Sequence, residues 1–253
     1  MATLIRDGVN LYYEVHGTGP AVMLTHGFSA TSQMWQGQIE LIAEHHTLII
    51  WDMRGHGQSD YPEDASAYTE ANTVADMAAI LDAEGINEAV IGGLSLGGYM
   101  SLGFHCVYPE RVRALMIIDS GPGYKSDKGR DAWNAQCERT AQEFETEGLA
   151  RLATRSAEMA SSTHRSADGL MKAARGMMAQ QDSHVMLSLP DIDVPTLVLV
   201  GADDEAFIAP ADYMSAKISN AQKVVIPDAG HASNIDQPEA FNAAVGSFLE
   251  SLS

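Results

Sequence analysis

The chain has 253 residues, of which 45% are hydrophobic, and it carries a formal net charge of -19. This length and apolar fraction suffice for one large α/β domain. The 34 acidic residues against 15 basic ones argue against binding to nucleic acid or to an anionic membrane surface, because phosphate contacts need clusters of lysine and arginine. No apolar stretch approaches the roughly 20 residues that span a bilayer, and no leader is recognisable at residues 1–7, so we expect a cytoplasmic protein.

Apolar, β-rich runs alternate with helical stretches along the chain. The predicted strands are Leu11–His16, Ala21–Thr25, Thr47–Trp51, Ala89–Gly92, Val112–Asp119, Thr196–Val200 and Gln222–Ile226. The predicted helices are Ala71–Glu84, Leu96–Tyr108, Ala211–Ile218 and Pro238–Glu250. This alternation predicts the α/β class, with a mostly parallel central sheet that helices cover on both faces. Ligands then bind beyond the carboxyl ends of the strands.

The segment 124–189 interrupts this alternation, because it shows no strand pattern. Its predicted helices are Asp127–Glu147, Leu149–Ser161 and Asp168–Gln181. Glycine and proline residues bound it, as they commonly bound an inserted segment. We therefore predict a core formed by residues 1–123 and 190–253, and a helical insertion at 124–189 before the next strand.

A serine stands where a buried strand turns sharply into a helix. The stretch Gly93-Leu94-Ser95-Leu96-Gly97-Gly98 follows the predicted strand Ala89–Gly92 directly. Small flanking residues permit the strained backbone that such a turn forces on its central residue. The N-terminus of the helix that follows favours negative charge near the serine oxygen. The pattern predicts that Ser95 is a nucleophile.

A serine hydroxyl needs a neighbouring histidine, held in turn by a carboxylate. Of the nine histidines, His231 lies in the loop after the last predicted strand, at the same sheet edge as Ser95, and we predict that it is the base. This reasoning does not decide which carboxylate holds the histidine. Asp203 and Asp204 follow one strand in the acidic stretch 203–205, and Asp119 ends the preceding strand.

Several motifs together resemble the α/β-hydrolase family, in its esterase and lactonase branch, over nearly the whole chain. They are the serine turn, His26-Gly27-Phe28, Asp52-Met53-Arg54-Gly55-His56-Gly57-Gln58-Ser59, Tyr108-Pro109-Glu110-Arg111-Val112, Gly201-Ala202-Asp203-Asp204 and Gly230-His231. The family order is serine, acid, histidine. The resemblance implies that the acid is Asp204, three residues after Gly201, with Asp203 and Asp119 as alternatives.

The resemblance also implies that the backbone N–H groups of Phe28 and Leu96 form the oxyanion hole, and that the insertion is a cap over the active site. It implies no metal and no organic cofactor. Neither Cys106 nor Cys137 lies in a metal-binding spacing, and we expect two free thiols.

The substrate pocket is predicted from residues near the catalytic elements and from the cap. These candidates are Trp35, Trp133, Met177, Phe207 and Ile208. Methionine adapts to irregular apolar shapes, although methionines on helices commonly serve ordinary packing.

The sequence predicts a hydrolase of carboxylic esters with small or medium acyl groups, acting on a small molecule without nucleic acid or membrane. Two alternatives stay open. One is an enol-lactone or carbon–carbon bond hydrolase of aromatic catabolism that uses the same three residues, and the other is a small-molecule receptor with a hydrolase fold.

Overall fold

Eight strands form a single sheet in the computed structural model, which describes residues 2–154, 157–160 and 162–252. The strands are β1 (Ala2–Arg6), β2 (Val9–His16), β3 (Ala21–Thr25), β4 (Thr47–Trp51), β5 (Ala89–Leu94), β6 (Val112–Ile118), β7 (Thr196–Gly201) and β8 (Ala221–Ile226). Their order is β1-β2-β4-β3-β5-β6-β7-β8. β1 and β2 run antiparallel to their neighbours, and the other pairs are parallel. The predicted α/β class with a mostly parallel sheet is confirmed.

The helices cover the sheet and fill the segment between β6 and β7. They are α1 (Gln36–Ala43), α2 (Glu70–Ala83), α3 (Leu96–Val107), α4 (Asp127–Glu147), α5 (Ala157–Ala160), α6 (Ala167–Gly176), α7 (His184–Ser188), α8 (Glu205–Lys217), α9 (Ser233–Asp236) and α10 (Pro238–Glu250). Three of them begin after a hydroxyl side chain that accepts a backbone N–H of the first turn, at Thr69, Ser126 and Ser166.

Both faces of the sheet are buried, because alternate residues of the central strands enter two separate apolar clusters. Met23 of β3 belongs to one cluster, together with residues of α2, α3, α8 and the segment 124–189. Val22 and Leu24 belong to the other, together with residues of α1 and α10. Near-continuous apolar strands are the expected signature of a sheet that is covered on both sides.

The strand β1, the helix α1 and the short helices α7 and α9 were not predicted from the sequence. β1 alternates between half-buried and exposed residues and is the outermost strand, paired only with β2, so it lacks a strong apolar pattern. α1 buries only Gln38 and Ile42. β1 and α1 are therefore stabilised more by packing against neighbouring elements than by the propensities of their own residues.

Three predicted helices require correction. α8 begins at Glu205 rather than Ala211, because Pro210 is accommodated inside the helix. The predicted helix Leu149–Ser161 is a 3₁₀ segment, Gly148–Thr154, followed by the short α5, and part of it lies outside the described residues. The predicted helix Asp168–Gln181 ends at Gly176.

The segment between β6 and β7 is helical, and the limits of the cap at 124–189 stay a prediction. In the part of the chain that the structure describes, no helix is both long and apolar enough to cross a membrane. The same residues contain no group of three or more His, Cys, Asp or Glu side chains that could hold a metal ion.

Candidate active site

Ser95 is the single residue between the end of β5 and the start of α3. Its backbone has φ 55° and ψ -115°, in the left-handed half of conformational space that residues other than glycine rarely adopt. Two hydrogen bonds from the next strand end fix it there. Ser95 N donates to Ile118 O at 2.9 Å, and the Ser120 hydroxyl donates to Ser95 O at 2.6 Å. The neighbouring β6 therefore supports the strained turn.

The tight approach of α3 to the sheet depends on glycine. A Cβ at Gly97 would collide with the carbonyl oxygen of Thr25 at the end of β3. α3 can therefore start directly against the strand ends, and Ser95 occupies its N-cap position. A negative charge that develops on or near the serine oxygen is stabilised there by the helix dipole.

His231 lies in the loop between β8 and α9, and its Nδ1 donates a hydrogen bond to Asp204 Oδ2 at 2.8 Å. Asp204 directly follows the turn after β7, where it is the N-cap residue of α8. Its side chain is only 7% exposed. A buried carboxylate bound to Nδ1 fixes the imidazole tautomer that leaves Nε2 free to accept a proton.

Several neighbouring groups shift the pKa of His231. Burial alone lowers the pKa of His231, but the hydrogen bond with Asp204 and the negative charges of Asp204 and Asp119 outweigh it. The pKa of His231 therefore lies above its ordinary value. Phe207 stacks on the imidazole, with the ring centroids 5.0 Å apart and an interplanar angle of 25°, which restricts the rotation of the ring.

The two other candidate acids have different surroundings. Asp203 is exposed, whereas Asp119 is fully buried and uses its carboxylate on backbone and hydroxyl groups. Asp119 Oδ1 accepts from Gly201 N at 2.7 Å, and Oδ2 accepts from Ser233 N at 3.2 Å and from Ser233 Oγ at 2.5 Å. Burial raises the pKa of Asp119 to about 7 despite these bonds. Asp119 thus ties together the two loops that carry Asp204 and His231.

Phe28 and Leu96 follow the ends of β3 and β5, on adjacent parallel strands. Within the described residues, neither backbone N–H has an acceptor. The loop at Phe28 is held by the next residue, since Ser29 N donates to His56 Nε2 at 3.2 Å. Two free N–H donors beside a serine are the arrangement that binds the oxygen of a tetrahedral intermediate.

These groups meet in one cavity of about 330 Å³. It is lined by Ser95, His231, Phe28 and Leu96, together with residues of the segment between β6 and β7. No hydrogen bond joins Ser95 to His231 in the described structure. Such a contact is commonly long in a ligand-free site and shortens when the substrate is bound.

The predicted pocket residues divide into two groups. Trp133 and Phe207 line the cavity, whereas Trp35, Met177 and Ile208 do not. Trp35 is corrected to a core residue, because its large apolar ring is fully buried in the cluster with α1 and α10, whereas Phe28 belongs to the cluster on the other face of the sheet. Met177 is fully buried in the other cluster, and Ile208 packs against that cluster from outside.

Sequence reasoning missed other residues of this cavity. Met178 and Gln180 line it from the segment after α6, and Ser120 lines it from the end of β6. Ser120 follows a strand end and could have been found by that signal. No local pattern distinguishes Met178 from Met177, because the path of an irregular segment decides which side chain faces the cavity.

Known proteins resemble the chain over most of its length. A family model of the alpha/beta hydrolase fold matches residues 20–185. A protein of Acinetobacter baylyi named 3-oxoadipate enol-lactonase 1 is 30% identical, over 98% of this chain and 96% of its own. The solved structure of a thermophilic esterase from Thermogutta terrifontis is 31% identical, with a TM-score of 0.80 over 99% of this chain and 97% of its own.

A third resemblance is to the crystal structure of a hydrolase from Pseudomonas aeruginosa PA01. It is 28% identical, and its TM-score is 0.79 over 98% of this chain and 97% of its own. The family model covers more than half of the residues, and the eight-stranded, mostly parallel sheet with its helices agrees with that fold. The chain therefore belongs to the alpha/beta hydrolase fold family.

Proposed function

We propose that this hydrolase cleaves carboxylic esters of small to medium acyl groups through an acyl-enzyme on Ser95. The observation that carries the proposal is that Ser95, on its strained turn, lines the same cavity as His231, which is hydrogen-bonded to the buried Asp204. A nucleophile, a base and an orienting acid are the three groups that acyl transfer requires.

In the proposed mechanism His231 takes the proton of Ser95 as the serine oxygen attacks the ester carbonyl. The N–H groups of Phe28 and Leu96 stabilise the resulting oxyanion, and each such donor is typically worth about 3 kcal/mol. His231 then returns the proton to the leaving alcohol. Water, activated by the same histidine, releases the acid from Ser95, while Asp204 holds the imidazole.

The walls of the cavity favour an uncharged substrate. None of the described residues that line it is a lysine, an arginine, an aspartate or a glutamate. An anionic group that enters such a site loses hydration without gaining a countercharge, and that exchange is costly. Neutral esters therefore fit the lining better than acids or carboxylate-bearing molecules.

Enol-lactone hydrolysis is the second candidate, and the full-length similarity to a protein named as an enol-lactonase favours it. A lactone offers the same carbonyl to Ser95, but its alcohol stays tethered to the acyl group. The two candidates therefore share the nucleophile and differ in the substrate that is turned over fastest.

Labelling with a fluorophosphonate tests the nucleophile. We expect one adduct on Ser95 by mass spectrometry, and none in Ser95→Ala. Initial rates on matched p-nitrophenyl esters and enol-lactones then separate the two candidates, since kcat/KM ranks substrates by transition-state binding. Absence of the adduct, or labelling at another residue, would contradict the proposed serine hydrolase. Faster lactone turnover would select the second candidate.

A further inference from the structure

Gln180 is a buried amide on the wall of the cavity, and its backbone is held rigidly. The residue is 7% exposed and lines the cavity that contains Ser95. Gln180 N donates to Asn134 Oδ1 at 2.8 Å, and Asn134 Nδ2 donates to Gln180 O at 2.9 Å. Both main-chain polar groups of Gln180 are therefore fastened to the side chain of one residue on α4.

The side-chain amide is oriented by a further hydrogen bond. Tyr124 N donates to Gln180 Oε1 at 3.0 Å, which assigns the other end of the amide to Nε2. Gly123 leaves space for this group, since a Cβ there would lie 2.7 Å from Oε1 and 2.9 Å from Nε2. Gly123 also has φ +86°, so a larger residue would be strained at that position.

The Nε2 group of Gln180 donates to no acceptor in the described structure. This nitrogen is not one of the fully buried side-chain atoms that lack a partner, so it is accessible from the cavity that Gln180 lines, and a ligand atom there can accept its hydrogen bond. Two other polar side chains on the cavity wall, those of Trp133 and Tyr99, already donate to protein acceptors. Trp133 Nε1 donates to Met178 O at 2.7 Å, and Tyr99 Oη donates to Glu70 at 3.1 Å.

We infer that Gln180 Nε2 donates a hydrogen bond to a neutral oxygen of the substrate, at a position remote from the bond that is cleaved. The substrate class is then an uncharged ester whose acyl or alcohol part carries a carbonyl or ether oxygen. This inference rests on the proposed function and names the substrates of that same site. Gln180 acts as a specificity-determining residue, while Ser95 and His231 perform the chemistry.

Matched ester pairs test this inference. On the acyl side, the pairs are p-nitrophenyl 4-oxopentanoate with pentanoate, and 5-oxohexanoate with hexanoate. On the alcohol side, 2-methoxyethyl butanoate is paired with butyl butanoate. Each pair differs by one oxygen at nearly constant length, so the ratio of the two kcat/KM values isolates recognition of that oxygen.

Three variants complete the design. Gln180→Glu keeps an oxygen that accepts from Tyr124 N but lacks the amide donor, and Gln180→Met keeps a similar length without polar atoms. Gln181→Glu makes the same charge change at the exposed neighbouring residue and serves as the control. Thermal unfolding midpoints verify that each variant is folded.

In the wild type, we expect the oxygen-bearing member of at least one pair to be preferred. That preference falls about tenfold in both Gln180 variants, the value of one net hydrogen bond, and persists in Gln181→Glu. Equal ratios in the wild type and in both Gln180 variants, or an equal loss in Gln181→Glu, would overturn the assignment of Gln180 while esters are still hydrolysed. If the wild type hydrolyses none of these esters, that result would instead contradict the proposed function, and the inference with it.

Discussion

Two regions hold their parts of the cavity by different means. One is the carboxyl-end edge of the sheet, called the sheet edge below, where Ser95, Asp204 and His231 lie, and the other is the segment 124–189. At the strand ends, main-chain hydrogen bonds hold the catalytic loops in addition to the Asp119 carboxylate: Ser95 N donates to Ile118 O at 2.9 Å, and Asp203 N donates to Ala229 O at 2.9 Å beside Asp204. In the segment, side chains make the links, as where Asn134 pairs with the backbone of Gln180.

Because of this difference, the two regions tolerate side-chain substitutions to different degrees. Main-chain bonds at strand ends persist when side chains change, so the sheet edge keeps its geometry and supports chemistry that tolerates little displacement. The segment changes its inner surface whenever a linking side chain changes. We therefore expect substitutions at the sheet edge to alter the rate on every substrate, and substitutions in the segment to alter the ranking of substrates.

The largest expected effect belongs to Asp204. Asp204→Asn leaves an amide beside His231 Nδ1 and favours the wrong imidazole tautomer, which lowers kcat by about 10⁴ in the best-studied serine hydrolase. Steady-state kinetics on a p-nitrophenyl ester measure the loss. Asp203→Asn is the matched control, since Asp203 is exposed and one residue away, and it should retain most activity. Equal losses in the two variants would show that the His231–Asp204 bond does not define the acid.

The pH profile supplies a second readout of the same pair. The base acts as neutral imidazole, so kcat/KM falls as the pH falls through the pKa of His231. Because that pKa lies above its ordinary value of about 6.5, the midpoint of the acidic limb is expected above pH 6.5 in the wild type. Residual activity of Asp204→Asn should show the midpoint at lower pH, since the raising hydrogen bond and charge are gone.

The same comparison explains what the sequence could predict. The loops with Ser95, Asp204 and His231 follow strand ends, and the carboxyl ends of parallel strands meet at one sheet edge, so their convergence follows from the strand pattern. The cavity wall built by the segment follows no such rule. Gln180 faces the cavity because Asn134 and Tyr124 hold it, and these are contacts between residues 46 and 56 positions apart.

Trp133 tests the role of the segment with an intermediate effect. Trp133→Ala removes a ring from the cavity wall and the bond to Met178 O, so the relative kcat/KM for short and long acyl groups should change roughly ten- to two-hundredfold. Fluorophosphonate labelling of Ser95 should persist. Met177→Ala is the control, because Met177 is fully buried away from the cavity. It should cost about 2–5 kcal/mol of stability and leave the acyl-length profile unchanged. An unchanged profile in Trp133→Ala would place the selectivity at the sheet edge.

The smallest expected effect comes from His164, where the two regions are joined. Gly57 N donates to His164 Nδ1 at 3.2 Å, and His164 Nε2 donates to Ser29 O at 3.0 Å, next to the proposed oxyanion donor Phe28. Burial lowers the pKa of His164, which keeps the ring neutral and able to make both bonds. His164→Phe retains a ring of similar size but loses both bonds.

Because the loop at Phe28 is then held less firmly, His164→Phe should lower kcat about tenfold with little change in KM, a fraction of the loss from removing an oxyanion donor. His164→Asn restores an acceptor for Gly57 N and should recover part of the rate. Steady-state kinetics with one ester separate kcat from KM. A change in KM alone, or in the acyl-length profile, would instead show that His164 acts in substrate selection, with the rest of the segment, and not in support of the loop at Phe28.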